Sequence, residues 1–281
     1  MKSLYDVPAP AKLNLFLHIT GRRPDAYHLL QSAFMLIDWC DTLHFEKRAG
    51  PGISREDLTT PLPAQDLITR AAHLLQQHTG CTDGVHIGVE KHIPAQAGMG
   101  GGSSDAATCL LALNRLWQLK LSLPELTSLG LQLGADVPFF LSGHNAWVEG
   151  IGESITAIDL APAQFWVIKP PTGIETARIF AHPDLKRDTN AATILLFAAD
   201  PYGFGRNDLQ PIAQALCPEI EPALFALNSL GMQAKMTGSG SAVFAHCRDS
   251  TLKVSVPDHF SARLCSNLAT HPLQGWAAID S

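Results

Sequence analysis

A chain of 281 residues carries 20 basic and 26 acidic side chains, a net charge of −6, with 46% hydrophobic and 16% charged residues. This describes a folded globular protein with core enough for one large or two ordinary domains, and it excludes a broad nucleic-acid-binding or anionic-membrane surface. No apolar run approaches the roughly 20 residues of a membrane span and the N-terminus lacks a basic segment followed by an apolar one, so a cytoplasmic protein without membrane or nucleic-acid partners is expected.

Residues 11–20 alternate cleanly, with Ala11, Leu13, Leu15, Leu17 and Ile19 on one face and Lys12, Asn14, Phe16 and His18 on the other, which predicts a strand. Lys12 and Asn14 then point the same way. A lysine there is either solvated or placed to stabilise developing negative charge. The basic loop GRRPDAYH follows; Tyr27 and His28 read equally as a surface turn or as an aromatic ring and imidazole that suit a planar base. Further strands are predicted over 34–45 and 85–90, with a helix over 66–78 between them.

The most informative run is 94–108, PAQAGMGGGSSDAAT. Gly98, Gly100, Gly101 and Gly102 permit positive φ and close approach to an anion, while Ser103 and Ser104 suit an N-cap. Ala106, Leu110, Leu113 and Trp117 then form the apolar stripe of a buried helix, whose N-terminus points into the glycine loop and would hold a phosphate. No Gly-Lys-Ser/Thr follows, so the loop is not a Walker A motif, and its spacing is not GxGxxG.

In GADVPFF, residues 134–140, Asp136 reads either as a helix cap or as a proton acceptor or orienting group in apolar surroundings. A hairpin is predicted within 145–158 and a domain boundary near 161–163, giving units 1–162 and 163–281. The second unit opens on the strand FWVIK, has helical patterns around Ala177, over 209–216 and around Leu224, and ends with TGSGSAVF, a second glycine-rich turn entering a strand. The pattern is α+β with mixed or antiparallel sheets. Six scattered cysteines without a CxxC pair read as reduced residues, and the twelve histidines form no ligand pattern.

Taken together, AKLNL, GRRPDAYH, the glycine-rich run, GADVPFF and TGSGSAVF resemble the GHMP kinase superfamily, in the order of its motifs and over most of the chain. The resemblance implies a ribosomal-protein-S5-like N-terminal domain, a ferredoxin-like C-terminal domain and an active site between them. It also implies an ATP- and Mg²⁺-dependent phosphotransferase. The N-terminal block resembles the branch whose acceptor is a cytidyl diphosphate compound of methylerythritol, phosphorylated on its 2-hydroxyl on the non-mevalonate route to isoprenoids. By motif position Lys12 and Asp136 would be catalytic, and Pro94, Ala95, Gln96, Ala97, Gly98, Met99, Gly100, Gly101, Gly102, Ser103 and Ser104 would wrap ATP. Asn14 would hold the methylerythritol end; Tyr27, His28 and Phe180 would hold cytosine; Ser104 is the candidate magnesium ligand, with Asp105 beside it. Ala26 and Asp66 depart from the glycine and asparagine this pattern carries. Monomer and homodimer both remain open.

Overall fold

A computed structural model describes residues 1–277, so the last four residues of the expected 163–281 unit lie outside the described residues. Two long strands, β1 (Ser3–Arg22) and β2 (His28–Arg48), form an antiparallel hairpin from which the first half is built. β3 (Ile53–Asp57) leads to α1 (Leu67–Thr79) and then β4 (Gly84–Glu90), which pairs antiparallel with β2 and parallel with β3. Three helices follow: α2 (Gly101–Leu116), α3 (Leu123–Leu133) and the short α4 (Val137–Ser142). The hairpin β5 (Ala146–Gly150) and β6 (Ser154–Ala157) completes a mixed sheet, with β5 paired to the start of β2. The helices cover this sheet around a core that includes Phe45, Leu75, Leu110, Leu113 and Phe139.

The second half begins with β7 (Gln164–Lys169), continues through α5 (Thr176–Phe180), α6 (Ile194–Ala199), α7 (Gln210–Leu216) and α8 (Ile220–Asn228), and closes with β8 (Lys235–Met236), β9 (Val243–Cys247) and β10 (Ser261–Ser266). Its sheet has the order β10-β7-β9-β8, all antiparallel. Counted within this half the order is 4-1-3-2, that of a ferredoxin-like sheet, although the connection from β9 to β10 contains no helix.

β1 departs from a half-solvated strand. Its N–H and C=O groups at Leu17 bond to Arg206 and Asp208 of the second half, at 2.9 and 2.8 Å, and Ile19 N donates to the Asp208 carboxylate at 2.9 Å. A register shift between Asn14 and Leu17 turns Phe16 into a core shared with Trp147, Phe197 and Phe204. Both faces of β1 are therefore buried, including Lys12, Asn14 and His18. After β10 the chain returns to the first half: Leu268 N donates to Leu36 O at 2.9 Å, and Leu273 and Trp276 pack on the first core. The segment 267–277 thus clasps the two halves rather than belonging to the second alone. Among the described residues no helix is long and apolar enough to cross a membrane.

Candidate active site

The glycine-rich run folds against the TGSG turn. Gly98 has φ +71° and passes so close to the second turn that a Cβ would overlap the Thr237 carbonyl and come within 2.9 Å of Gly240 N. Ser241 N and Ala242 N donate to Gln96 O and Ala97 O at 3.1 and 3.3 Å, lacing the loops together. α2 then starts without a hydroxyl cap. Its N-cap is Gly100, in the left-handed region at φ +72°, and Ser104 N already donates to Gly100 O at 2.9 Å. Ser103 and Ser104 lie inside the first turn, so the expected serine N-cap is corrected: positive φ at Gly100 starts the helix. The free N–H groups of that turn remain donors of the kind that can hold an anion.

A cavity of about 1230 Å³ opens between the halves, and Lys12, Asn14, Tyr27, His28, Asp136, Phe180 and the run 94–103 line it. The resemblance thus drew its residues from one place, with one exception. Ser104 is wholly buried, its Oγ has no partner, and it does not line the cleft, whereas Ser103 does. The cradle's hydroxyl available to a bound metal is therefore that of Ser103, not Ser104.

At the centre lies Lys12. Its Nζ donates to Asn14 Oδ1 at 2.5 Å, lies 3.6 Å from Asp136 Oδ2 and sits 4.7 Å from the centre of the Phe34 ring. Burial lowers its pKa, with the Asp136 carboxylate acting in the opposite sense. Asp136 immediately precedes α4, but its side chain makes no capping bond there, which removes the helix-cap reading and leaves the carboxylate facing Lys12 and the cleft. Asn14 is occupied differently from expectation: Oδ1 accepts from Lys12, while Nδ2 donates to Ser32 Oγ at 2.9 Å and Ser32 Oγ donates to Phe16 O at 2.5 Å. A serine that the sequence reading did not single out fixes the amide orientation that holds the ammonium.

One end of the cleft is aromatic. His28 and Phe180 rings lie 5.0 Å apart, with Tyr27 beside them and 60% exposed. Ala26, in the preceding turn, has φ +70°, so alanine occupies the backbone conformation that favours glycine. The other end is ionic. Lys91 Nζ bridges Asp41 and Asp105, 2.6 Å from Asp105 Oδ2, and Asp41 Oδ1 accepts from His92 N and Ile93 N at 2.6 and 2.8 Å. Two carboxylates share one ammonium here. Burial, followed by the opposing pull of Lys91 and the charge of Asp41, leaves the Asp105 carboxyl pushed up to about 7. Asp66, the N-cap of α1, accepts from Ile68 N and Thr69 N and pairs with Arg55, which explains why a carboxylate is tolerated there.

Among the described residues no group of three or more His, Cys, Asp or Glu could hold a metal. Magnesium nevertheless fits the donor set of the cleft, because it is commonly held by few protein oxygens together with waters and substrate phosphates. The Ser103 hydroxyl is such an oxygen.

Models of the GHMP kinases N terminal domain and the GHMP kinases C terminal region match residues 66–144 and 187–263. A 4-diphosphocytidyl-2-C-methyl-D-erythritol kinase of Acidovorax ebreus is 63% identical over 98% of this chain and 99% of its own, and one from Delftia acidovorans is 62% identical over the whole of both. The chain belongs to the 4-diphosphocytidyl-2-C-methyl-D-erythritol kinase family of GHMP kinases. A crystal structure of a 4-(cytidine 5'-diphospho)-2C-methyl-D-erythritol kinase superposes with a TM-score of 0.78 at 32% identity, covering 94% of this chain and 98% of its own. A homoserine kinase of Cytophaga hutchinsonii, 13% identical with a TM-score of 0.67 over 96% of each chain, shares the fold. As a GHMP kinase this chain is an ATP-dependent phosphotransferase, and its two-part α+β architecture is that of the family.

Proposed function

We propose that the cleft transfers the γ-phosphoryl group of ATP to the 2-hydroxyl of 4-diphosphocytidyl-2-C-methyl-D-erythritol, with Lys12 and Asp136 at the reacting centre. The observation that carries the reading is the Lys12–Asp136 pair at the mouth of the cradle: Nζ lies 3.6 Å from Oδ2, and a Cβ on Gly100 would lie 3.3 Å from Lys12 Cε. A buried ammonium beside the glycine loop stabilises charge on the transferring group, where burial strengthens its effect. Asp136 orients the acceptor hydroxyl and takes its proton as the new P–O bond forms and the bond to ADP breaks. Because Asn14 has committed Oδ1 to Lys12, its part is to hold that ammonium, and the methylerythritol end would meet only its remaining amide hydrogen.

The run 94–103 would cradle the phosphates through the first turn of α2, and Tyr27, His28 and Phe180 would hold the cytosine. Magnesium, bound by ATP oxygens and Ser103, would neutralise the β- and γ-phosphates; Ser104, from its buried position, would shape the turn. The units 1–162 and 163–281 would supply opposite walls, and the reaction would proceed in the cytoplasm in a monomer or homodimer.

Incubation with ATP, Mg²⁺ and the cytidyl diphosphate acceptor should yield ADP and a new phosphomonoester resonance in the phosphorus NMR spectrum, whereas turnover of homoserine or mevalonate instead would overturn the assignment. Asp136→Asn should cost about 10²-fold or more in kcat. ATP binding should change little.

A further inference from the structure

Arg187 lies in the loop between α5 and α6, with no carboxylate within ion-pair distance among the described residues, yet every N–H of its guanidinium is engaged. Nε donates to His28 Nε2 at 3.0 Å. Nη1 donates to Pro183 O and Leu185 O, at 3.3 and 2.9 Å, and Nη2 to Phe180 O and His182 O, at 3.2 and 2.8 Å. One cation therefore holds the imidazole on one side of the aromatic pocket and the carbonyl of the phenylalanine on the other, whose rings face each other at 5.0 Å.

A guanidinium has donors only. His28 Nε2 must accept, so the ring is neutral and its proton sits on Nδ1. No protein group among the described residues partners Nδ1, and His28 lines the cleft. Burial lowers the histidine pKa, and the charged groups facing this ring, Arg187 and then Arg22, oppose imidazolium formation further. The ring thus enters the cleft as a fixed N–H donor. A donor of fixed position matches a heterocycle with an acceptor on its edge, as cytosine has at N3, and opposes one with an N–H there, as uracil has.

We propose that Arg187 is a positioning and specificity-determining residue that locks His28 as an Nδ1–H donor and ties it to the Phe180 loop, so that the pocket selects an acceptor-edged pyrimidine. This rests on the reading of His28 and Phe180 as the base-holding end of the cleft.

The test uses the full-length kinase with ¹⁵N-labelled histidine. Long-range ¹H–¹⁵N correlations of the wild type should show Nε2 unprotonated and Nδ1 protonated at pH 7 to 8. In Arg187→Met the ring should exchange between tautomers and its pKa should rise, because one of the charges opposing protonation is gone while burial and Arg22 remain. The KM for the cytidyl acceptor should rise about tenfold, more at pH 6 than at pH 8, and preference over the uridyl analogue should fall, with the KM for ATP within twofold of wild type. Arg187→Lys, which retains the charge and a donor group but not the planar fork, should restore part of the acceptor KM. A wild-type spectrum with Nε2 protonated overturns the proposal, and that measurement stands even if the Met variant does not fold. An Arg187→Met enzyme with an unchanged acceptor KM overturns it as well. Should the wild type show the expected tautomer yet fail to turn over any cytidyl acceptor, the base-holding reading falls together with the specificity claim, while the Arg187–His28 pairing survives as a structural fact.

Discussion

Gly98→Ala perturbs the point where the two glycine-rich turns touch. A Cβ there overlaps the Thr237 carbonyl and lies 2.9 Å from Gly240 N, and these neighbours are backbone atoms that cannot rotate away. The residue also sits at φ +71°, which costs an alanine about 1 kcal/mol. Relief requires the loops to separate, breaking the bonds from Ser241 N and Ala242 N to Gln96 O and Ala97 O, at about 1 kcal/mol each. The sum is about 3 kcal/mol. For a chain of this size that lowers Tm by roughly 5 °C. Because the same movement displaces the cradle from Lys12, kcat/KM for ATP should fall about 10²-fold, as expected for a misplacement near 1 Å. Gly102→Ala is the internal control: its Cβ would meet only Leu67 Cδ1 at 3.7 Å, and alanine improves a helical turn by about 0.5–1 kcal/mol. Differential scanning calorimetry and ATP-dependent initial rates check both. A Gly98→Ala enzyme with wild-type Tm and kcat/KM would refute the reasoning, as would a Gly102→Ala protein destabilised as much as Gly98→Ala.

Three further outcomes follow from the geometry. The folded-state pKa of Asp105, about 7, lies above its ordinary unfolded value, so the native state binds an extra proton between pH 4 and 7. Stability should therefore decline by about 2–3 kcal/mol from pH 5 to pH 8, and Asp105→Asn should flatten that slope in denaturant titrations at each pH. Ser32→Ala should free the Asn14 amide to turn its NH₂ toward Lys12, lowering kcat about tenfold with little change in the KM for ATP, while Ser32→Thr should retain activity; equal kcat in both would remove the Ser32–Asn14–Lys12 chain from the mechanism. Ala26→Gly should leave Tm unchanged or raise it, since φ +70° favours glycine, whereas Ala26→Val should lower stability by about 1–2 kcal/mol in the same melting experiment.

What was legible in the sequence was local. Alternation placed β1, the glycines placed the turn before α2, and the hairpin within 145–158 followed from apolar alternation broken at Gly150 and Gly152. α3 had a sequence signal that the reading passed over, the Ser122–Glu125 capping box, and so had the alternating SARLCS of β10. The larger differences have a common origin in partners distant along the chain. Lys12 is on the polar face of an alternating strand, and residues distant along the chain bury it: Phe34, the turn at Gly100 and Asp136 surround its side chain, while the second half covers the same face at Phe16 and His18. Ser103 and Ser104 have the composition of a cap, but a glycine in the left-handed region starts the helix one turn earlier and leaves one hydroxyl in the cleft and the other in the core. Arg187 left no local trace, because four of its five partners are backbone carbonyls, of the last residue of α5 and of the irregular loop after it, and the fifth is 159 residues away. A motif records which side chains must meet a ligand. The groups that orient those side chains, Ser32 behind Asn14 and Arg187 behind His28, satisfy geometry rather than chemistry, and many residue types in many places could do so. That is why Lys12 and Asp136 could be singled out from their motifs, whereas the tautomer of His28 required the fold.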